Sequence, residues 1–206
     1  MKKLLSILVL ILCSLMSYSQ AIKPSVKPGD TNLRSYDPIS GFYGMDFGAS
    51  AESCKNIMKS KGWVIKDDNG KSIIYKTNKF IGRDAVICLK FYNNELYEGF
   101  AMFIPDLESK VVDLYENISE DISLKFGEPS SYENYEYPYE KGDGHTVTAI
   151  QAGKAEFTSF WGKKINSQNA ISLEISPNLS VFLTYQDSKR VYSVIKNQNE
   201  KKLNDL

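Results

Sequence analysis

The chain has 206 residues with 25 basic and 25 acidic side chains. That balance, with no local lysine and arginine stripe, excludes the electrostatic footprint of a nucleic-acid binder. A single histidine and three cysteines exclude the usual imidazole and thiolate zinc sites, while 13 tyrosines and 10 phenylalanines suit pleated, half-buried strand surfaces.

Lys2 and Lys3 precede an apolar run from Leu4 to Leu12 broken only by Ser6, and the small residues Ser17 and Ser19 follow. A charged start, a short apolar core and a small-residue exit form the order of a secretory signal. Residues 1–19 are therefore expected to be cut off near Ser19 and Gln20, leaving an exported chain, periplasmic or secreted. The apolar run is about half of the ~20 residues that a membrane-spanning helix needs, and no second run follows it, so no transmembrane span is expected in the mature chain. Cys13 follows Leu12 rather than a small residue, which argues against lipid attachment. Cleavage removes Lys2 and Lys3, the only charges in the segment, and leaves Cys54 and Cys88 as the only thiols.

Residues 20–40 carry Pro24, Pro28, Gly29 and Pro38 without an apolar period and read as a flexible arm. Folding is expected from Gly41. Ser50 is placed to cap a helix from Ser50 to Ser60, with Glu52 in its first turn, an apolar stripe of Cys54, Ile57 and Met58, and Gly62 past its end. Strands are expected at Trp63–Lys66 and Ser72–Lys76 around the Asn69-Gly70 turn, and at Ala85–Tyr92 and Leu96–Ile104 around Asn93 and Asn94. Cys88 falls out of phase with Ile87, Leu89 and Phe91. It should therefore face away from Cys54 and leave both thiols unpaired.

A second helix is expected from Asp106 to Lys125, carrying Leu107, Val111, Leu114, Ile118, Ile122 and Phe126 at helical spacing and ending at Gly127 and Pro129. Strands are then expected at Thr146–Ala152, at Ala155–Trp161, and as a hairpin of Ala170–Ser176 with Ser180–Tyr185. Ser188 is placed to cap a tail helix within residues 187–206.

The two helix exits, Lys61-Gly62 and Phe126-Gly127, echo each other, as do Ile87, Leu89 and Phe91 with Ile171, Leu173 and Ile175. A tandem repeat is the expectation, with a first helix plus four-strand unit at 41–105 and a second at 106–186 carrying an insertion near 128–146. The fold class is α+β, with helices packed on one face of antiparallel sheet. A helix followed by a four-stranded meander, twice over, resembles the β-lactamase-inhibitory-protein-like fold. The Phe47-Gly48-x-Ser50 opening and the Leu124 to Pro129 helix exit are similar to those of uncharacterised exported bacterial proteins. The resemblance implies the fold and no contact residues.

Chemistry is sparse. His145 lies between glycine and threonine with no Gly-x-Ser-x-Gly elbow to serve. Asp67 with Asp68 belongs to a turn and Glu116 with Glu120 to a solvated helix face, although paired carboxylates keep a hydrolase as the alternative. No cofactor is implied. The stretch with most promise holds Tyr132, Glu133, Tyr135, Glu136, Tyr137 and Tyr139, since tyrosines supply contact area at little rotamer cost and glutamates supply a negative field. Expected exposed, it would serve a protein or glycan partner at the cell envelope. A charge-protected edge strand is the plainer reading. A binding or interaction module is the leading expectation, with a structural envelope protein as a further alternative.

Overall fold

The computed structural model describes residues 37–162 and 169–204; the expected signal and most of the expected arm lie outside them. The elements are β1 (Gly41–Phe42), β2 (Met45–Asp46), α1 (Ala51–Ser60), β3 (Ile65–Asp68), β4 (Ser72–Tyr75), β5 (Asn78–Phe80), β6 (Arg83–Tyr92), β7 (Glu95–Phe103), α2 (Val111–Phe126), β8 (Ser130–Tyr135), α3 (Thr146–Gln151), β9 (Ala155–Trp161), β10 (Asn169–Ile175), β11 (Val181–Asp187) and α4 (Ser188–Asn204). The fold is α+β around one large antiparallel sheet.

Local chemistry accounts for most of these boundaries. The Ser50 hydroxyl accepts from the Ser53 amide at 3.2 Å and caps α1, and Gly62 takes φ +79° just past its end. Asn93 and Asn94 both adopt positive φ in the two-residue turn between β6 and β7, the conformation that matches strand twist. The β3–β4 turn is held differently. Only Gly70 takes positive φ, while the Asn69 side chain accepts from the amides of Lys71 and Ser72.

Strand order is β3-β4-β6-β7-β11-β10-β9-β8, with β5 pairing β6. After α1 the strands form the meander β3-β4-β6-β7, interrupted in sequence by β5, and after α2 the meander β8-β9-β10-β11, interrupted by α3; the closing strands β7 and β11 pair with each other from Glu98 opposite Gln186 to Phe103 opposite Val181. The inward face runs continuously across that seam, with Ile87, Ala101, Leu183, Leu173 and Ser159 in register on successive strands. All of them are buried. Ser159 is accommodated there because its hydroxyl bonds Tyr115 Oη at 2.6 Å and Ser131 Oγ at 2.8 Å, satisfying a polar group that would otherwise be costly in a core.

Cys54 and Met58 of α1, Val111, Tyr115, Ile118 and Ile122 of α2, and Ala149 and Ile150 of α3 all join this inward core. Phe42 lies over the seam. Its ring stands 5.4 Å from that of Tyr185 on β11 and occupies the space where a Cβ on Gly99 of β7 would sit, 2.5 Å from Phe42 Cδ1.

Several expectations need correction. Folded chain begins before Gly41: the Asp37 amide donates to the Lys125 carbonyl, and Asn169 Nδ2 donates to the Ile39 carbonyl. The second helix starts at Val111 after a 3-10 turn at Glu108–Lys110, without a side-chain cap, so Asp106 does not cap it and Leu107 is 63% exposed. Phe126 packs on the core only partly buried, unlike the fully inward Ile118. Thr146–Gln151 is helix rather than strand, and the long connection lies between β8 and β9 rather than ahead of the second meander. The tail helix is capped by Asp187, whose Oδ1 accepts from the amides of Lys189 and Arg190. This helix, α4, contributes nothing to the inward core among its described side chains; it lies against β7, β10 and β11.

Two substitutions test this packing. Gly99→Ala should lower the unfolding free energy by about 1–3 kcal/mol, the usual cost of overpacking a tight core. On α2, Ile118→Ala should cost about 2–5 kcal/mol, whereas Leu124→Ala, 80% exposed on the same helix, should stay within about 0.5 kcal/mol in urea unfolding.

Candidate binding face

The inward residues leave an outward set on alternate positions of the same strands. One row reads Ile74, Cys88, Phe100, Thr184, Ser172 and Phe160 across β4, β6, β7, β11, β10 and β9. The next reads Val86, Met102, Phe182, Glu174, Thr158 and Tyr132 and ends on the edge strand β8. Phe100 and Phe182 meet across the seam with ring centroids 5.8 Å apart. Toward the β6–β7 hairpin, Lys90 and Glu98 form a cross-strand ion pair at 2.6 Å, with the ammonium 5.5 Å from the Phe100 ring centroid.

α4 stands beside this hairpin end of the sheet. Arg190 Nε donates to Glu95 Oε2 at 2.8 Å, Arg190 also pairs with the buried Asp187, and Asn197 Nδ2 donates to Tyr92 Oη at 2.7 Å. The two partners raise the Arg190 pKa, Glu95 first and Asp187 next. The far end differs. Phe160 is 52% and Tyr132 39% exposed there, and the two flank Thr158 from the neighbouring strands β9 and β8.

The tyrosine-rich stretch is divided by the sheet. Tyr132 points outward beside Thr158 and Phe160. Tyr135 points inward, edge-on to Phe157 at 6.0 Å, with its hydroxyl 3.2 Å from Thr146 Oγ1. Tyr139 packs partly buried against the core, and Tyr137 is 92% exposed on the loop. Glu133 and Glu136 are exposed but neutralised by Lys141 at 2.5 Å and Lys154 at 2.6 Å. The stretch is therefore an edge strand and its loop rather than one continuous aromatic surface, and Phe160, Phe100, Phe182 and Met102 extend the outward face beyond it. Period-two alternation in β7, β9 and β11 was the available signal for them. It identifies two faces without saying which neighbours each face acquires.

The other chemical candidates stay apart. His145 is exposed, with its amide donating to Asp143 Oδ1. Asp68 pairs with Lys55 at 2.7 Å and accepts from the Gly70 amide; these contacts, Lys55 first, hold its carboxyl below the ordinary aspartate range. A shallow recess of about 280 Å³ lined by Lys66, Tyr75, Lys76, Thr77 and Val86 offers no acid and base pair. Among the described residues, no three His, Cys, Asp or Glu side chains stand together as a metal site, and no helix is long and apolar enough to cross a membrane.

Cys54 and Cys88 are both free and buried, one in the inward core and the other in the outward row. Burial pushes the Cys54 thiol up to about 11 and the Cys88 thiol up to about 12, so neither offers a thiolate near neutral pH. No known protein family, curated protein or solved structure matches the chain.

Site-resolved alkylation should leave Cys54 and Cys88 unmodified in native protein at pH 7 and modify both after denaturation without reductant. Recovery of either as a disulfide would contradict the sheet faces assigned above. Tyr135→Ala, at a partly buried ring packed on Phe157, should lower stability by about 1–3 kcal/mol, whereas Tyr137→Ala should change stability by no more than about 0.5 kcal/mol.

Proposed function

We propose that this protein is a non-enzymatic binding module exported to the bacterial cell envelope, and that it engages a protein partner through the outward face of its sheet. One observation carries the reading. Two in-register rows place the half-buried or exposed Ile74, Val86, Phe100, Met102, Phe160 and Tyr132 outside the inward core on four strands and the β8 edge, around the buried Cys88 and Phe182. An extended apolar and aromatic sheet surface bordered by charged groups has the composition of a protein interface, where aromatic residues and methionine are enriched. Export is supported by the sequence of residues 1–19. The double helix and four-strand order supports the resemblance to β-lactamase-inhibitory-protein-like folds and, with the echo of Ile87 and Ile171 on the third strand of each meander, an origin by tandem duplication.

Photo-crosslinking tests the face directly. A benzophenone amino acid at Phe160 or Tyr132 should give a discrete crosslinked product in the envelope fraction of the producing cells. The same group at Leu124, exposed on α2, should not. Equal crosslinking at all three positions, or crosslinking at Leu124 alone, would remove the outward face as the binding surface. Retention of the chain in the cytoplasmic fraction would remove export.

A further inference from the structure

The outward face also carries two carboxylates, and this inference rests on its reading as a docking surface. Glu174 lies directly opposite Thr158 in the β9–β10 register, and Glu156 follows on the same side of β9, diagonal to Glu174. Phe160 flanks Thr158 on its other side, and Tyr132 stands opposite Thr158 on β8. The nearby glutamates have counter-charges: Glu98 has Lys90, Glu133 has Lys141 and Glu136 has Lys154. Among the described residues Glu156 and Glu174 have none, even though Lys154 is close by in sequence. Burial first, and then the Glu156 charge, push the Glu174 carboxyl upward. Two unneutralised carboxylates beside exposed aromatic rings are complementary to a cation with a planar, weakly hydrated head, which can donate hydrogen bonds to the carboxylates and stack on a ring face.

We propose that the β8–β9–β10 end of the outward face receives a basic segment of a partner protein, seating an arginine between Glu156 and Glu174 and an adjacent apolar side chain on Phe160 and Tyr132. The sign of the charge selects this occupant. An acidic segment would add a third negative group to the cluster. A second copy docked face to face through a two-fold axis at this end would bring the same carboxylates toward each other, because an isologous contact repeats one patch on both sides. Beyond Glu174 the same row continues through the buried Phe182 to the half-buried Met102.

The probe is a short synthetic peptide alternating arginine and phenylalanine, compared with its citrulline analogue, which keeps the side-chain shape and removes the charge. Binding is followed on the isotope-labelled chain by amide chemical shifts at low salt. The arginine peptide should bind about tenfold more tightly, equivalent to about 1.4 kcal/mol, with shifts centred on Thr158, Phe160 and Tyr132. The double variant Glu156→Gln, Glu174→Gln should erase that preference while its remaining spectrum stays native. Equal affinity for the two peptides with shifts on this face would overturn the basic partner and leave the face as a docking surface. A preference that survives the double variant would overturn the assignment of the carboxylates. Binding of neither peptide, shifts confined elsewhere, or a dimer by light scattering that buries these residues would overturn the proposal.

Discussion

The pairing of β7 with β11 is the contact on which the remaining architecture depends. Each meander alone would be a four-stranded sheet open at both edges, and an open edge both wastes backbone hydrogen bonds and invites unwanted pairing. Joining the two closing strands removes two edges at once and aligns the inward rows, so that residues from both meanders contribute to one core. Gly99 is part of that solution. Its missing side chain lets the Phe42 ring approach the backbone of β7 while contacting Tyr185 on β11, so the β1–β2 hairpin clamps both sides of the seam.

The seam has a second consequence on the other side of the sheet. Strands joined in register inward are necessarily in register outward, since side chains alternate with period two. Phe100 and Phe182, one from each meander, become neighbours only because of this pairing. The two faces then diverge in chemistry. The inward one takes buried side chains from α1, α2 and α3; the outward one keeps the half-buried Phe100 and the exposed Phe160, an ion pair between Lys90 and Glu98, and Glu156 and Glu174, which pair with no basic group among the described residues. The network of Asp187, Arg190 and Glu95 holds α4 at the hairpin end of the sheet, so the exposed aromatics at the β8–β9 end stay clear of these anchoring contacts.

Misreadings of the sequence have identifiable causes. Thr146, Val147 and Thr148 favour strand because they are β-branched, yet the chain turns there through one short helix whose consecutive Ala149 and Ile150 are both buried. Both residues join the core from that one helical turn, so packing overrode local preference. Asp106 and Leu107 looked like a cap and a first apolar position. A 3-10 turn intervenes and leaves Leu107 in water, because the stripe actually buried, Val111, Tyr115, Ile118 and Ile122, already repeats at four, three and four. Tyr135 and Tyr137 were grouped by composition, but one lies on the inward side of an edge strand and the other on a loop.

By itself the sequence determined what depends on near neighbours along the chain. It placed the Ser50 cap, the glycine exits of α1 and α2, the Asn93-Asn94 turn and the alternation that sets Cys88 against Ile87 and Leu89, because caps, turns and periodicity are written within a few residues of where they act. Tertiary structure alone decided that β7 meets β11 and that Gly99 must yield space to Phe42. It also decided that Tyr132, Phe160, Thr158 and Glu174 form one surface from two strands and an edge. Those neighbours are chosen by which strand edges find each other, and a hydrophobic pattern of period two says which side of a strand is wet without naming the strand that will lie beside it.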